Sequence, residues 1–248
     1  MFGDQGEVRL LVSSQDLYTR REVYRARFYR DDYFPLKHLT RFLSGALERL
    51  VSANTQVADI GCGEQPLRAQ IEGLGGIYTG IDIVQNAHNT VDVLANITDV
   101  PLGDSTFDVI VCTQVLEHVS DSYGAFKELA RLLKPGGQLI ITAPLGYPLH
   151  EEPYDFVRFT PYQIQECAHR AALRVSELHT AGNELEVIAT VLDNMWRRGI
   201  KGKPNFFHRR WMTLSRGATN LFVMMAVRVA GRRLPRKYYL ENMCILTK

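Results

Sequence analysis

The sequence predicts an α/β fold in which helices cover both faces of a mostly parallel sheet. Short apolar runs, each closed by an acidic residue or a glycine, alternate along the chain with stretches of helical periodicity. This alternation is typical of right-handed βαβ crossovers, whose sheets bind ligands outside the carboxyl ends of their strands. A chain of 248 residues is long enough for one such domain with an insertion.

The first helical pattern predicts an N-terminal helix, and the apolar runs predict the strands. In the N-terminal segment 1–52, apolar residues between Leu36 and Leu50 recur at three-and-four spacing, and Pro35 suits a first helical turn. The predicted strands cover residues 57–60, 77–83, 107–112, 138–142, 174–179 and 241–247.

Further helical patterns separate the later strands. A helix over 125–133 is expected to stop at the Pro and Gly residues of 134–137, and another over 161–172 has Thr160 in its N-cap position. The stretch 182–239 is too long for a turn, and its apolar patterning predicts an inserted helical element. We therefore expect a single domain over 1–248, composed of a helical segment (1–52), a core (53–181), an insertion (182–239) and a last strand (240–248).

Composition narrows the class of protein. Hydrophobic residues make up 46% and charged residues 23% of the chain, as in packed globular proteins. The four cysteines are far apart without a CxxC pair, and no cluster has the spacing of metal ligands, so we predict neither disulfides nor a metal site. The N-terminus lacks the pattern of a secretory signal, and no apolar run has the length of a membrane span. A cytoplasmic protein is expected.

The charges are unevenly distributed. Residues 197–237 contain 12 of the 29 Lys and Arg residues and none of the 27 acidic residues. The rest of the chain therefore has 17 basic and 27 acidic residues, a net charge of −10. Cations mixed with aromatic and aliphatic residues are typical of helices that lie on a membrane surface. Three interpretations stay open for 197–237: a lid over the acceptor site, a surface that docks on anionic lipid and, least favoured, a nucleic-acid patch.

A glycine turn follows the first predicted strand. Asp59 near the end of this strand precedes Gly61-Cys62-Gly63, and glycines permit both a tight turn and a close approach of the backbone to a ligand. Pro66 stands where the third glycine of a pyrophosphate-binding GxGxxG would lie, which disfavours NAD. About twenty residues later the second strand ends at Asp82, whose carboxylate can accept hydrogen bonds from both hydroxyls of a ribose.

These motifs, together with FDVIVCTQVLEHVSD and ELARLLKPGGQLIITAP, resemble those of class I S-adenosylmethionine-dependent methyltransferases of the broad type-11 group. The resemblance covers about 57–179. It implies a Rossmann-like, doubly wound sheet of seven strands and S-adenosyl-L-methionine as the cofactor. It also implies the cofactor-binding residues, which we predict to be Asp59, Gly61, Cys62, Gly63, Asp82, Ile83, Asn96, Ile97 and Gln114.

Two positions within the resemblance have a second interpretation. The family commonly has an Asp at the position of Asn96, where it meets the adenine amino group; an Asn carbonyl can accept the same bond, and Asp99 is the alternative. Glu117 and His118 belong to the LEH signature. His118 is either a base or, as we favour, a side chain that holds the loop against the helix.

The acceptor pocket is predicted after the strand at 138–142, where titratable and aromatic residues are dense between 144 and 160. This stretch resembles an H-x-x-P-x-D-x-x-R-x-T motif of methyltransferases of glycan and secondary-metabolite pathways. His150, Asp155 and Arg158 are the catalytic candidates. A neutral His150 can act as the base for a hydroxyl acceptor, with Glu151 or Asp155 orienting it. Arg158 either binds an acceptor anion or pairs with Asp155.

These residues predict methyl transfer to a small molecule, preferably to a hydroxyl of a glycan or lipid-like acceptor. A methylase of quinones or natural products is the alternative enzyme. A cofactor-binding but catalytically silent partner protein is the alternative from another class. Contact with the inner membrane surface through 197–237 is a further expectation, and nucleic acid is the less favoured partner.

Overall fold

The computed structural model describes residues 24–30, 32–199, 206–230 and 237–248. Its elements, in chain order, are α1 (Tyr33–Leu50), β1 (Gln56–Ile60), α2 (Arg68–Gly73), β2 (Ile77–Asp82), β3 (Val93–Leu94), β4 (Phe107–Thr113), α3 (Ser122–Leu132), β5 (Leu133–Pro144), α4 (Pro161–Arg170), β6 (Arg174–Ala181), α5 (Glu184–Gly199), α6 (Phe206–Ala230) and β7 (Glu241–Thr247). A 3-10 turn, Leu116–His118, follows β4.

The seven strands form one sheet in the order β3-β2-β1-β4-β5-β7-β6. All pairs from β3 to β5 are parallel, whereas β7 runs antiparallel to both β5 and β6. The predicted doubly wound, mostly parallel sheet is confirmed. Because β7 is reversed, its first residue, Glu241, pairs with Pro144 at the carboxyl end of β5. The start of the last strand therefore lies at the same edge of the sheet as the carboxyl ends of the others.

Helices cover both faces, as predicted. On one face, the α3 and α4 residues Phe126, Leu129 and Ile164 pack with Ile110 and Ile141 from the sheet. On the other face, α1 and α2 pack against Val57, Val109, Val111, Ile140 and Ile245. Successive strand residues point to opposite faces, so these buried runs serve both cores and read as almost continuous apolar sequence.

Several predicted boundaries need correction. The helix expected over 125–133 ends at Leu132, but residues 134–137 belong to β5 and do not form a separate loop. Gly136 has a φ of 79° there, and its amide donates to the carbonyl of Lys248. The two-residue strand β3 was not predicted, because it is too short for an alternating pattern. The N-cap at Thr160 is confirmed, with its hydroxyl 3.2 Å from the amide of Gln163.

The predicted helical insertion consists of α5 and α6. Phe34 at the start of α1 packs with Ala189 of α5, Val223 of α6 and Leu240 just before β7. Residues 1–23 of the predicted N-terminal helical segment lie outside the described residues, as do the basic residues at 201, 203, 232, 233 and 236. Among the described residues, no helix is both long and apolar enough to cross a bilayer.

Candidate functional site

A cavity of about 1160 Å³ opens at the carboxyl edge of the sheet. Its wall is formed by the ends of β1, β2 and β4, by the loop after β5, by Glu241 of β7 and by residues that precede and begin α1. We call the part beside β1 and β2 the cofactor half. The part lined by His118, Tyr147, His150, Glu151 and Tyr154 is called the acceptor half.

The glycine turn shapes the cofactor half. Gly61 and Gly63 have φ values of 73° and 51°, in the left-handed region that favours glycine. A Cβ atom on Gly61 would overlap Cγ2 of Val115, so this position has no room for a side chain. The carboxylate of Asp82 accepts a hydrogen bond of 2.8 Å from the amide of Gly63. This bond joins the end of β2 to the turn after β1.

The predicted cofactor residues fall into two groups. The majority line the cavity: Gly61, Cys62, Gly63, Asp82, Ile83, Asn96, Ile97 and Gln114. Asp59 and the alternative Asp99 lie outside the lining that the described residues form. Asp59 is 3% exposed and accepts a bond of 2.8 Å from the Tyr78 hydroxyl. The pKa of Asp59 is raised to about 7, chiefly by burial and to a smaller extent by the charge of Asp82, while the bond from Tyr78 opposes the shift.

Asn96 and Gln114 have internal partners as well. The side-chain oxygen of Asn96 accepts from the amide of Thr98 at 3.1 Å and from its hydroxyl at 3.0 Å. The Gln114 side chain donates to Glu241 at 2.9 Å and to Thr142 at 3.1 Å. Burial raises the pKa of Glu241 to about 8, although the bond from Gln114 opposes this shift. Gln114 therefore connects the end of β4 to the buried acid on β7.

These features fit an adenosyl cofactor that carries an amino acid. A turn without side chains leaves the backbone accessible to a ligand, and an acid at the end of β2 can accept from ribose hydroxyls. The cavity of about 1160 Å³ is larger than a drug-sized ligand requires, so it has room for a second molecule.

The acceptor half is held by a buried ion pair. Asp155 accepts from both terminal nitrogens of Arg158, and its Oδ2 atom also accepts from the backbone amide of His150 at 2.9 Å. Although burial opposes it, these donors lower the pKa of Asp155 to about 2. Arg158 also donates to the carbonyl oxygens of Tyr147 and Pro148. Of the two roles predicted for Arg158, the structure shows pairing with Asp155.

His150 is the catalytic candidate that faces the cavity. Asp155 and Arg158 lie behind it, outside the lining formed by the described residues, so they position the loop. The ring of His150 lies 4.8 Å from that of His118 and 5.2 Å from that of Tyr147, both in edge-on contacts. Burial, and then the charge of His118, lower the pKa of His150, which keeps the imidazole neutral at pH 7.

Two residues of the LEH signature, Glu117 and His118, lie beside the acceptor half. Nδ1 of His118 lies 2.9 Å from the Tyr154 carbonyl oxygen, so the described contact holds the loop, as we favoured. Glu117 is fully buried, and burial raises the pKa of its carboxyl well above the ordinary value. Glu117, His118 and His150 each offer a ligand atom within 4.8 Å of the others. Their spacing along the chain does not indicate this cluster, because His150 comes from another loop.

Glu241 was missed as a site residue. It was placed in the last strand, and only the antiparallel direction of that strand brings it to the cavity. The signal in the sequence is that this acidic residue begins a strand that is otherwise mostly apolar. Together, the glycine turn, the strand-end acid and the two-part cavity define an α/β protein that binds a nucleoside cofactor beside a second ligand.

Comparison with known proteins identifies the cofactor. A family model described as a methyltransferase domain matches residues 58–141. A ubiquinone biosynthesis O-methyltransferase from Xanthomonas oryzae pv. oryzae is 32% identical over 170 residues, which cover 60% of this chain and 71% of that protein. The chain belongs to the class I S-adenosylmethionine-dependent methyltransferases, and its cofactor is S-adenosyl-L-methionine.

Two further comparisons concern a methyltransferase relative and a protein that shares the fold. A demethylmenaquinone methyltransferase from Tropheryma whipplei is 36% identical over 101 residues, covering 37% of this chain and 42% of that protein. The solved structure of phosphoethanolamine N-methyltransferase 2 from Haemonchus contortus, in complex with S-adenosyl-L-methionine, has a TM-score of 0.52 at 16% identity. It covers 83% of this chain and 52% of that one, and the likeness shows a shared fold.

Proposed function

We propose that this chain methylates a hydroxyl oxygen of a lipid-like aromatic small molecule, of the quinone-precursor class. The observation that carries this proposal is the acceptor half of the cavity, where the rings of Tyr147, His118 and His150 meet beside the cofactor half. Aromatic walls with a few polar groups suit a flat, largely apolar acceptor. The ubiquinone biosynthesis O-methyltransferases among the relatives support the same acceptor class.

The chemistry requires alignment first and a proton acceptor second. When bound, the cofactor supplies a methyl group on a positively charged sulfur: the acceptor oxygen forms the new O–C bond while the C–S bond breaks and its electron pair returns to sulfur. The cavity walls hold the acceptor oxygen in line, which supplies most of the acceleration. Asp82 and the turn from Gly61 to Gly63 would hold the ribose and the methionine part.

His150 is proposed to accept the hydroxyl proton. Its ring faces the cavity and is neutral at pH 7, so it has a free electron pair for the proton. Asp155 fixes the backbone of His150 through the bond of 2.9 Å, and Arg158 holds Asp155 in turn. Both residues therefore act through His150.

The test is the release of S-adenosylhomocysteine by the purified chain with a panel of acceptors. The panel contains a prenylated dihydroxybenzene, its dimethyl ether, the same ring without the prenyl tail, and a free oligosaccharide. We expect turnover with the prenylated phenol, less without the tail, and none with the dimethyl ether, which has no free hydroxyl. Turnover with the oligosaccharide alone would transfer the proposal to the glycan class. Cofactor binding without turnover of any acceptor would favour the silent partner protein.

We also propose that α6 docks on an anionic membrane surface, at the cytoplasmic side. Its exposed apolar residues recur at three-and-four spacing and so share one face: Phe207, Trp211, Leu214, Phe222, Met225 and Val229. Phe207 is 79% and Val229 is 86% exposed. Arg210 and Arg228 are exposed at the border of this face and would meet lipid phosphates.

Co-sedimentation with vesicles tests this surface. We expect binding to vesicles that contain phosphatidylglycerol and much weaker binding to phosphatidylcholine alone. Replacing Phe207 and Trp211 with Ser should release the protein, whereas Tyr162→Ser, at another exposed aromatic residue, should not. Equal binding by all three proteins would contradict the proposal. If α6 is instead a lid over the acceptor half, the variant with Ser at both positions should lose turnover with a water-soluble acceptor.

A further inference from the structure

A buried carboxylate lies directly behind His118, outside the cavity lining that the described residues form. Glu117 is 0% exposed, and among the described residues neither of its carboxylate oxygens has a hydrogen-bond partner on another residue. A buried polar group without a partner costs about 1 to 3 kcal/mol, and an ionised one costs more. Such a group therefore either is protonated without function or faces a ligand that the protein binds.

His118 supplies a second ligand atom with a defined protonation. Its Nδ1 atom lies 2.9 Å from the carbonyl oxygen of Tyr154, and a carbonyl only accepts, so Nδ1 carries the proton. Nε2 of the neutral ring then has its electron pair available. This atom lies 3.9 Å from Oε1 of Glu117 and 3.3 Å from Oε2 of Glu151. Two carboxylate oxygens thus lie within 4 Å of this nitrogen.

His150 completes the cluster from the other side. One ligand atom each from Glu117, His118 and His150 lies within 4.8 Å of the others. Metal-ligand bonds of about 2.1 Å place the ligand atoms of one ion about 3.5 Å apart, so small side-chain rotations are sufficient. A backbone carbonyl fixes His118 and Asp155 fixes the backbone of His150, as outer groups do around metal-binding histidines.

We propose that Glu117, His118 and His150 bind a divalent transition-metal ion at the acceptor half of the cavity. Two imidazoles and one carboxylate are the ligands of Zn²⁺ and similar ions, whereas Mg²⁺ and Ca²⁺ prefer oxygen alone. The positive ion would also compensate the buried carboxylate. Because the chain supplies three ligands, a fourth position stays open for an oxygen of a bound molecule.

The role of this ion rests on the proposed function, whereas its binding does not. A hydroxyl oxygen of the acceptor in the open position would lose its proton to solvent more easily, because the ion stabilises the oxyanion. The oxyanion would then attack the methyl group. When the ion is bound, His150 is one of its ligands and does not accept the proton. Removal of the ion with a chelator therefore distinguishes the role of His150 as a ligand from its role as the base.

The experiment uses the untagged full chain, stripped of metal and titrated with Zn²⁺, with Co²⁺ as the spectroscopic probe and Mg²⁺ as the control ion. We expect one Zn²⁺ per chain by calorimetry, a visible Co²⁺ absorption band, and no such signal with Mg²⁺. Glu117→Gln keeps the shape of the side chain and should weaken binding about 100-fold or more, because it removes a ligand.

The matched control is a buried glutamate that already has a histidine partner. Glu186 is 2% exposed, and its carboxylate lies 2.9 Å from Nε2 of His38, away from the cavity. Glu186→Gln should bind Zn²⁺ like the wild type. If Glu117→Gln does not fold, His150→Gln decides the question by the same loss. Absence of binding to the wild type overturns the inference, and so does equal binding by the wild type and the ligand variants.

Turnover separates this inference from the proposed function. If the stripped chain methylates the prenylated phenol at the full rate, the proposed function stands and the proposed role of the ion is overturned, whereas the calorimetric titration decides whether the ion binds. If the chain binds Zn²⁺ through Glu117 but methylates no hydroxyl acceptor, the metal site stands and the proposed function is wrong.

Discussion

The two halves of the cavity are built in different ways. In the cofactor half, the turn after β1 and the end of β2 meet directly, as in the bond of 2.8 Å that the backbone amide of Gly63 donates to the carboxylate of Asp82. In and behind the acceptor half, side chains from distant parts of the chain meet: Glu117 and His118 follow β4, whereas His150 comes from the loop after β5. The first half depends on room and backbone direction, whereas the second depends on which side chains are present. Substitutions in the two halves should therefore fail in different ways.

The largest effect is expected at the glycine turn. Gly61→Ala places a Cβ against Val115 at a φ of 73°, and we expect it to abolish cofactor binding and destabilise the fold by about 2 to 5 kcal/mol. Calorimetry with S-adenosylmethionine and thermal unfolding measure the two effects. Gly45→Ala is the control, because nothing lies within 4 Å of its added Cβ. Normal cofactor binding by Gly61→Ala would remove the distinction between the halves.

In the acceptor half, His150→Gln should lower kcat by about 10² to 10³ while the affinity for S-adenosylmethionine stays unchanged. Its ring belongs to the acceptor side, so the variant changes the chemistry without changing the cofactor half. Steady-state kinetics with the prenylated phenol and calorimetry with the cofactor give the two numbers. His179→Gln, at an exposed histidine beside Glu177, is the control. A parallel loss of cofactor affinity would show that the halves are coupled.

Asp82→Ala should weaken the binding of S-adenosylmethionine and S-adenosylhomocysteine by about 100-fold, since it removes a charged acceptor from the ribose side. Calorimetric titration measures this, with NAD as a ligand that should not bind either protein. Asp92→Ala is a close control: its carboxylate likewise accepts from a glycine amide, that of Gly80 in β2 at 2.7 Å, but it lies outside the cavity lining of the described residues. If both variants bind alike, Asp82 does not hold the ribose.

Asp59 predicts a pH dependence of stability. Its pKa is raised from 3.8 to about 7 in the folded chain, so between these values the unfolded state releases a proton that the folded state keeps. Wild-type stability should therefore fall as the pH rises from about 4 to 7. Asp59→Asn has no such proton to release. From pH 5 to pH 8, its free energy of unfolding should therefore rise by on the order of 2 kcal/mol relative to that of the wild type. Urea unfolding at both pH values tests this; a pH-independent difference would contradict it.

The smallest effect is expected at the ion pair behind His150. Lysine cannot reproduce the two bonds from Arg158 to Asp155, so Arg158→Lys should lower kcat about tenfold and leave the KM for the cofactor unchanged. Arg49→Lys removes a similar fork, to Glu177 at the surface, and should change neither value. A change in the KM for the cofactor with an unchanged kcat would show that Arg158 supports the cofactor half and not the acceptor half.

The sequence by itself determined the six longer strands, the helices α1, α3 and α4, the glycine turn and the acid at the end of β2. These features follow from local patterns, because strand periodicity and the left-handed turn at Gly61 depend on neighbouring residues. Parallel sheets bind ligands outside the carboxyl ends of their strands, so the sequence also predicted where the cofactor half lies.

Only the tertiary structure decided the acceptor half. Glu241 reaches the cavity because β7 is antiparallel, which its apolar sequence does not reveal. Glu117 and His118 meet His150 because the loop after β5 folds back, so that the amide of Phe156 donates to the carbonyl of Glu117. Contacts between residues so far apart in sequence depend on the packing of the whole sheet, and no local pattern encodes them.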